Sequence, residues 1–343
     1  MSPESVLSYP FPVLPLPGQA LAVAPGVHWL RMPLPFALNH INLWLLEDEG
    51  GWTIVDSGLG NEPTRALWGE FFATAAGKRP VRRVIVTHHH PDHAGNAGWL
   101  TQRFGVQLWI SYGEFVSAHA LREAISGFSL AHRLALFQRN GLPFEHIHKL
   151  KDRGNGYRGA VPEFPRSYRR LTDDLVIRIG VRDWRVIMGY GHSPEHSALY
   201  CDELKVLIAG DMVLPKITTN VSVLSIEPEV NPLKQFLDSL GRYATLPAET
   251  LVLPSHGLPF AGLRERIAQL QEHHRLRLGE LLETCDAPQS AADVIPTLFR
   301  RELDTQQLYF AMGEAMAHLH FLFESGQLSQ TEGSDGVLRF VRA

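Results

Sequence analysis

Residues 88–93 bring together four histidines and one aspartate around a proline, in the order His-His-His-Pro-Asp-His. They follow an apolar and β-branched run at 84–87 that predicts a buried strand, and the residues after the proline predict a turn into a helix. In extended backbone His88 and His90 face the same way, and the bend at Pro91 lets the aspartate and the last histidine reach a second point close by. Burying so many imidazole and carboxylate groups together costs free energy unless a cation binds between them. The segment therefore predicts a site for zinc, iron or manganese, and a histidine-rich surface turn is the alternative.

The segment from Thr87 to Gly95 resembles the signature of the metallo-β-lactamase fold superfamily, whose members include glyoxalase II, lactonases, tRNA-processing nucleases and flavodiiron proteins. The superfamily pattern also has a later histidine, a bridging aspartate and a last histidine, each at the end of a strand. This sequence offers His192, Asp211 and His256, which follow short apolar runs at 184–188, 206–209 and 251–253. The resemblance implies an α/β fold, an αββα sandwich, over residues 27–285.

Carried over position by position, the resemblance implies two metal positions that share one carboxylate. The ligands of the first are His88, His90 and His192. Those of the second are Asp92, His93 and His256, and Asp211 bridges the two. Two divalent metal ions are the expected cofactors. Zn²⁺ is expected first, and Fe or Mn are alternatives that accept the same donor types.

Two further residues are expected to support these ligands. Asp56 ends a predicted strand at 52–55, and in the superfamily an acidic residue here orients the metal-bound histidines. Capping of the next helix is the alternative role for this aspartate. His196 lies four positions after His192 and is the second expected supporter. Weaker candidates, to which no chemistry is assigned, are His40, His89, Glu195, Asn220 and Ser222.

Composition indicates an ordinary globular enzyme. The chain has 343 residues, of which 45% are apolar and 20% charged, and its net charge of -4 gives no overall attraction to nucleic acid or an acidic membrane. Two cysteines are too few for a disulfide framework. Residues 1–26 lack a basic start, and their prolines interrupt the apolar run, which argues against a signal peptide or a spanning helix. We expect an extended arm there, and a cytoplasmic protein.

Residues 112–172 form a longer connection than the superfamily fold requires. Their first part predicts one or two helices, and their second part is basic, because 149–170 holds seven Lys and Arg against two Asp and Glu, a balance of +5. One interpretation is a solvated loop. The other is a lid whose basic residues meet an anionic substrate, such as a phosphate, nucleotide or carboxylate.

Residues 286–343 predict two helices and a β-hairpin, which resembles the winged-helix domain at the C-terminus of some hydrolases of this superfamily. Charge argues against binding of duplex DNA, since the segment carries four arginines against eight acidic residues, and 305–324 has no Lys or Arg. We expect this domain to pack on the catalytic domain or on a second subunit, so that a homodimer is one expected arrangement.

Two adjacent metals would generate a nucleophilic hydroxide near neutral pH and polarise a carbonyl or phosphoryl oxygen. Asp92 or Asp211 would then hold the nucleophile and take part in proton transfer. The first hypothesis is therefore hydrolysis of an ester or thioester-type small molecule, which an anionic group would help to bind. Alternatives are a phosphodiesterase or endoribonuclease of the same fold and, third, a diiron oxidoreductase.

Overall fold

The structure is a computed structural model that describes residues 7–36, 38–151 and 155–343, without the side chains of 150 and 151. Its contacts divide the chain into two compact units. The first takes in the described parts of Met1–Arg122, Tyr157–Thr219 and Ser239–Ile267. The second takes in those of Glu123–Gly156, Asn220–Asp238 and Ala268–Ala343. This division falls at other positions than the predicted boundaries after residues 26 and 285, because both units are assembled from separate stretches of the chain.

Over the described residues, the largest sheet of the first unit has seven strands in chain order. They are β1 (Leu21–Ala24), β2 (Val27–Pro33), β3 (His40–Asp48), β4 (Gly51–Val55), β5 (Val81–Ile85), β6 (Leu108–Ser111) and β7 (Tyr168–Leu171). The first four strands pair antiparallel, and β4 to β7 pair parallel. The predicted arm thus contributes β1 to the sheet, and the predicted basic stretch contributes β7.

The other sheet of the first unit has five strands in the order β12-β11-β10-β9-β8, counted over the same described residues. They are β8 (Val176–Ile179), β9 (Arg182–Gly189), β10 (His196–Cys201), β11 (Val206–Gly210) and β12 (Leu251–Pro254). Strands β8 to β11 pair antiparallel, and β11 and β12 pair parallel. The carboxyl ends of β11 and β12 therefore lie at the same edge of this sheet.

The helices are α1 (Glu62–Ala73), α2 (Pro91–Ala94), α3 (Ala97–Phe104), α4 (Tyr112–Glu123), α5 (Leu130–Arg139), α6 (Phe144–Lys151), α7 (Gly156–Ala160), α8 (Pro232–Tyr243), α9 (Leu263–Thr284), α10 (Ile295–Leu298) and α11 (Thr305–Glu324). Strand alternation places the core on both faces of the larger sheet. In β3, Leu43 and Leu45 pack with Trp68 of α1 on one face. Trp44 and Leu46 pack on the other face with residues of the second sheet, including β9 and β10. Helix on sheet on sheet confirms the predicted α/β sandwich.

In the second unit, α11 is followed by an antiparallel hairpin of β13 (Leu328–Glu332) and β14 (Leu338–Arg342). The first of the two predicted helices corresponds to the short α10. On α11, Met316 and Leu319 are buried, whereas Phe310 is 46% exposed and Phe323 is 41% exposed. No helix in the described ranges is both long and apolar enough to cross a membrane.

Candidate metal centre

The histidine-rich segment spans the end of the loop after β5 and the single-turn helix α2. His90 is extended, with φ of -56° and ψ of 148°, and Pro91 begins α2 directly after it. Proline suits the first helical position because its φ is fixed and it has no N–H to satisfy. Two short segments, extended and then helical, therefore present different ligands to neighbouring points, as the sequence predicted.

The first group of donors comes from three loops at strand ends. Its members are His88, His90, His192 and Asp211, whose ligand atoms all lie within 4.8 Å of one another. His88 Nε2 is 2.9 Å from His90 Nδ1 and 3.2 Å from His192 Nε2. Asp211 Oδ2 is 3.5 Å from His192 Nε2 and 4.0 Å from His88 Nε2.

The second group comprises Asp92, His93 and His256, again with ligand atoms within 4.8 Å of one another. Asp92 Oδ2 is 3.7 Å from His93 Nε2 and 3.4 Å from His256 Nε2. Asp211 Oδ1 lies 3.5 Å from each of these two imidazole nitrogens. One oxygen of Asp211 thus faces each group, and the structure brings all seven predicted ligands together.

Two buried atoms of the site show that this cluster suits cations. His93 Nε2 and Asp211 Oδ1 have no hydrogen-bond partner in the described part of the chain. Buried polar atoms are normally paired, and an atom without a partner beside further lone pairs is a natural metal ligand. Burial, reinforced by the neighbouring imidazoles, lowers the pKa of His88 and His90 well below the ordinary value, so both rings are neutral and offer lone pairs.

The carboxylates hold protons on the other two histidines. Burial alone would lower the pKa of His256, but Asp211 and Asp92 outweigh it and raise that pKa to about 10. The pKa of His93 is likewise raised, against burial, by Asp92, Asp211 and Asp56. Positive charge is therefore favoured at this point, and a divalent cation would supply it in place of the protons.

Asp56 fixes the orientation of His93. Its Oδ2 accepts a hydrogen bond from His93 Nδ1 at 2.8 Å, and its Oδ1 accepts one from the backbone N–H of Thr87 at 2.8 Å. Asp56 has a left-handed φ of 63°, which a non-glycine residue adopts mainly at turns and functional sites. The residue therefore lies where the sequence resemblance placed it, beside a ligand rather than at the start of α1, which Asn61 caps.

His196 supports the main chain of Asp211 instead of an imidazole. Its Nε2 accepts a hydrogen bond from the Asp211 N–H at 3.2 Å. Burial and the nearby His192 lower the pKa of His196 to about 3, so the ring is neutral and can accept this bond.

His40, only a weak candidate from sequence, lies beside His256. Its carbonyl oxygen accepts a hydrogen bond from His256 Nδ1 at 2.8 Å, and its own Nε2 accepts one from the Gly257 N–H at 2.9 Å. Burial lowers the pKa of His40 to about 4, which keeps the ring able to accept. Its position at the start of a strand carried no signal of this role.

Glu114 was missed altogether. It is fully buried in the first turn of α4 and pairs with His89, another weak candidate. Burial raises the pKa of Glu114, but His89 and several hydrogen bonds outweigh this effect and lower the pKa to about 2. The carboxylate is therefore ionised.

The remaining candidates belong to neither donor group. Asn220 and Ser222 belong to the second unit, where Asn220 Nδ2 donates to Glu314 Oε2 at 3.0 Å and Ser222 Oγ donates to Asn220 Oδ1 at 2.8 Å. Glu195 Oε2 accepts from the Gly113 N–H at 2.8 Å.

In the basic stretch, exposed arginines stack on aromatic rings. Arg169 lies 4.3 Å from the ring centroid of Trp109, and Arg170 lies 5.1 Å from that of Tyr112. Both arginines belong to β7, so this part of the stretch is a strand of the sheet and not a loop. Lys151, Asp152 and Arg153, which contributed to the predicted charge balance, have side chains outside the described ones.

Two models of known protein families match separate ranges of the chain. Residues 38–256 match the model described as "Metallo-beta-lactamase superfamily", and residues 278–343 match "Metallo-beta-lactamase-like, C-terminal domain". A crystal structure of a beta-lactamase domain protein from Burkholderia ambifaria is 49% identical, covers 100% of both chains and has a TM-score of 0.93.

Relatives of the chain include proteins with enzyme names. The probable metallo-hydrolase YqjP of Bacillus subtilis (strain 168) is 24% identical over 299 residues, which are 85% of this chain and 91% of YqjP. The acyl-coenzyme A thioesterase MBLAC2 of Gallus gallus is 27% identical over 201 residues, which are 55% of this chain and 63% of MBLAC2. With two donor groups joined by one aspartate at the strand ends of an α/β sandwich, the chain belongs to the metallo-β-lactamase superfamily and is a metal-dependent hydrolase.

Proposed function

We propose that this hydrolase holds two divalent metal ions and cleaves a carboxylic thioester or ester. The observation that carries the proposal is the position of Asp211, whose two oxygens lie near histidines of two separate donor groups. A carboxylate with this arrangement suits two neighbouring cations better than one. In this proposal His88, His90 and His192 hold one ion, Asp92, His93 and His256 hold the other, and Asp211 serves both.

Zinc is the ion we propose first, because neutral imidazole and carboxylate are its common ligands, although iron and manganese accept the same donors. Bound ions of this kind lower the pKa of water and polarise the oxygen of the bond to be cleaved.

The chain's own proton acceptors are the two carboxylates. Burial raises the pKa of Asp92, but His93 and His256 outweigh it and lower that pKa, so Asp92 is ionised at neutral pH. Its side chain is 18% exposed, against 11% for Asp211. Asp92 is therefore the more accessible acceptor for a proton from the attacking water, while Asp211 is held between the two groups.

Two observations support a thioester as the substrate. The Gallus gallus relative is named an acyl-coenzyme A thioesterase. Arg166, Arg169 and Arg170 are exposed in the basic stretch and would attract the phosphates of a coenzyme carrier. Arg169 and Arg170 belong to β7, so the lid interpretation is proposed here only for residues 157–167 of the basic stretch.

A second candidate is cleavage of a phosphodiester in single-stranded RNA. It is favoured by Arg170 beside the ring of Tyr112, since a guanidinium and an exposed aromatic ring together suit a nucleotide. It ranks second because this pair is one nucleotide-sized feature and not an extended basic track.

We propose that the C-terminal segment is a winged-helix-like module without a DNA-binding role. A helix and hairpin in the expected order support the likeness. Helix α11 has no Lys or Arg, and ten of its residues are buried, so it lacks the charges and the surface that a groove-binding helix uses.

The test is a side-by-side turnover assay of metal-replete protein on acyl-coenzyme A thioesters, simple esters and single-stranded RNA. Asp92→Ala serves as the inactive background, and Asp183→Ala, at an exposed strand position, is the matched control. We expect thioester turnover that Asp92→Ala reduces at least about 100-fold and Asp183→Ala leaves unchanged. RNA cleavage lost in Asp92→Ala, without thioester turnover, would replace the first proposal by the second.

A further inference from the structure

Glu114 is a buried carboxylate whose hydrogen bonds go to residues beside the proposed metal ligands. It is 0% exposed at the start of α4, directly after β6. An ionised carboxylate is costly to bury, so its partners indicate why the position holds one.

One oxygen of Glu114 holds the loop that carries His88 and His90. Its Oε2 accepts a hydrogen bond from the backbone N–H of His89 at 2.9 Å and pairs with His89 Nδ1 at 2.5 Å. The carbonyl oxygen of His89 accepts a hydrogen bond from Tyr157 Oη at 2.5 Å. The peptide groups on both sides of His89 are therefore fixed, and each of them leads directly to a proposed ligand.

The other oxygen of Glu114 holds the loop that carries His192. Its Oε1 accepts a hydrogen bond from Ser193 Oγ at 2.7 Å and another from the backbone N–H of Glu195 at 2.7 Å. Ser193 follows His192 in the chain, so this loop is held next to the ligand itself. A single carboxylate thus joins the two loops that supply all three histidines of the first group.

We infer that Glu114 is a positioning residue that sets the spacing of His88, His90 and His192 by joining their two loops. The inference rests on the proposed metal centre. The second group lies outside this connection, since His93 is held by Asp56 and His256 by His40. Loss of Glu114 should therefore weaken one of two metal positions and spare the other.

The test is a titration of metal-free protein with Zn²⁺ against a chromophoric chelator, and with Co²⁺ followed by its visible absorption. In Glu114→Gln an amide NH₂ replaces an oxygen that only accepts, and it faces groups that donate. We expect two binding events in the wild type. In Glu114→Gln one event should be about 10- to 100-fold weaker, with a changed Co²⁺ spectrum. Ser193→Ala, which removes one of the hydrogen bonds, should show a smaller loss of the same event.

Glu163→Gln is the control, because the Glu163 carboxylate pairs with Arg65 and not with a ligand loop. Circular dichroism and thermal unfolding of the metal-free variants check that they fold, and Ser193→Ala keeps the inference testable if Glu114→Gln does not. Two wild-type events in both variants would overturn the inference and leave the proposed function intact. Equal weakening of both events would also overturn it, because that would indicate a general role in folding. A wild type that binds fewer than two ions would overturn the proposed centre together with the inference.

Discussion

Asp211 can face two groups of donors only because its main chain is held on both sides. Its N–H donates to His196, and its carbonyl oxygen accepts a hydrogen bond from the Thr219 hydroxyl. Gly210, just before it, has a left-handed φ of 54°, and a Cβ there would lie 2.3 Å from His196 Nε2. Glycine is needed for both the conformation and the space.

We expect Gly210→Ala to lower the free energy of unfolding by about 1–3 kcal/mol, because strain and a clash add at this position. Urea unfolding of metal-free protein measures this. Gly241→Ala in α8 is the matched control, because a Cβ there meets nothing within 4 Å and alanine favours helix, so its stability should rise by about 0.5–1 kcal/mol. A Gly210→Ala protein as stable as the wild type would contradict the steric argument.

Asp56 allows the role of charge at His93 to be tested without changing the backbone. Asparagine tolerates the left-handed conformation of residue 56, so Asp56→Asn removes mainly the negative charge beside His93 Nδ1. We expect about 10- to 100-fold weaker metal binding at the second group and little change at the first. The Zn²⁺ titration with a chelator measures both events. Asp202→Asn, at an exposed turn, should bind as the wild type does.

The proposed ligands could be predicted from the sequence, whereas several residues that hold them could not. Ligands have distinctive types and follow apolar runs at strand ends. Glu114 and His40 bond largely to backbone groups of distant segments, at His89 and Gly257, and a backbone N–H leaves no trace in the sequence. Such contacts become visible only once the loops are folded.

Among the elements, strands with exposed faces were the hardest to predict. β7 contains two exposed arginines, so its charge indicated a loop, although it pairs with β6 over its whole length. The buried strand β11 matched the apolar run predicted at 206–209 closely, because that run reflects the burial of the strand.

Helix α11 contains a partly buried acid whose titration should alter stability near neutral pH. Burial raises the pKa of Glu314 from its ordinary value of 4.5 to about 7, although Asn220 donates a hydrogen bond to it. An acid with a higher pKa in the folded state binds more protons there than in the unfolded state. The free energy of unfolding therefore falls as the pH rises from about 4.5 to about 7, because the unfolded chain releases this proton more readily than the folded protein does.

We expect Glu314→Gln to remove this loss. Relative to the wild type, its free energy of unfolding should rise by roughly 2 kcal/mol between pH 5 and pH 7.5. Urea unfolding across this range measures the difference. Burial lowers the pKa of the neighbouring His318 to about 4, and this histidine is present in both proteins. Glu302→Gln, at an exposed position, should give a constant difference. The same constant result for Glu314→Gln would show that folding does not raise the pKa of this carboxyl.

At the scale of the whole molecule, the proposed centre connects segments that are far apart in the chain. Its donors follow β5 of the larger sheet and β9, β11 and β12 of the other sheet, within the first compact unit. Metal that binds only the folded arrangement stabilises it by mass action, by about 2.7 kcal/mol per ion at 100 times the Kd. For a unit of this size we expect each ion to raise Tm by roughly 5–10 °C.

The measurement is thermal unfolding before and after removal of metal by a chelator, followed by addition of Zn²⁺. Asp211→Asn replaces the carboxylate shared by both donor groups with a neutral amide. Most of the metal-dependent rise in Tm should therefore disappear in this variant. Asp202→Asn should keep the full rise. If the wild type binds two ions and its Tm does not change when they are removed, metal binding does not favour the folded state over the unfolded state. In that case the ions would contribute to catalysis without joining the two sheets.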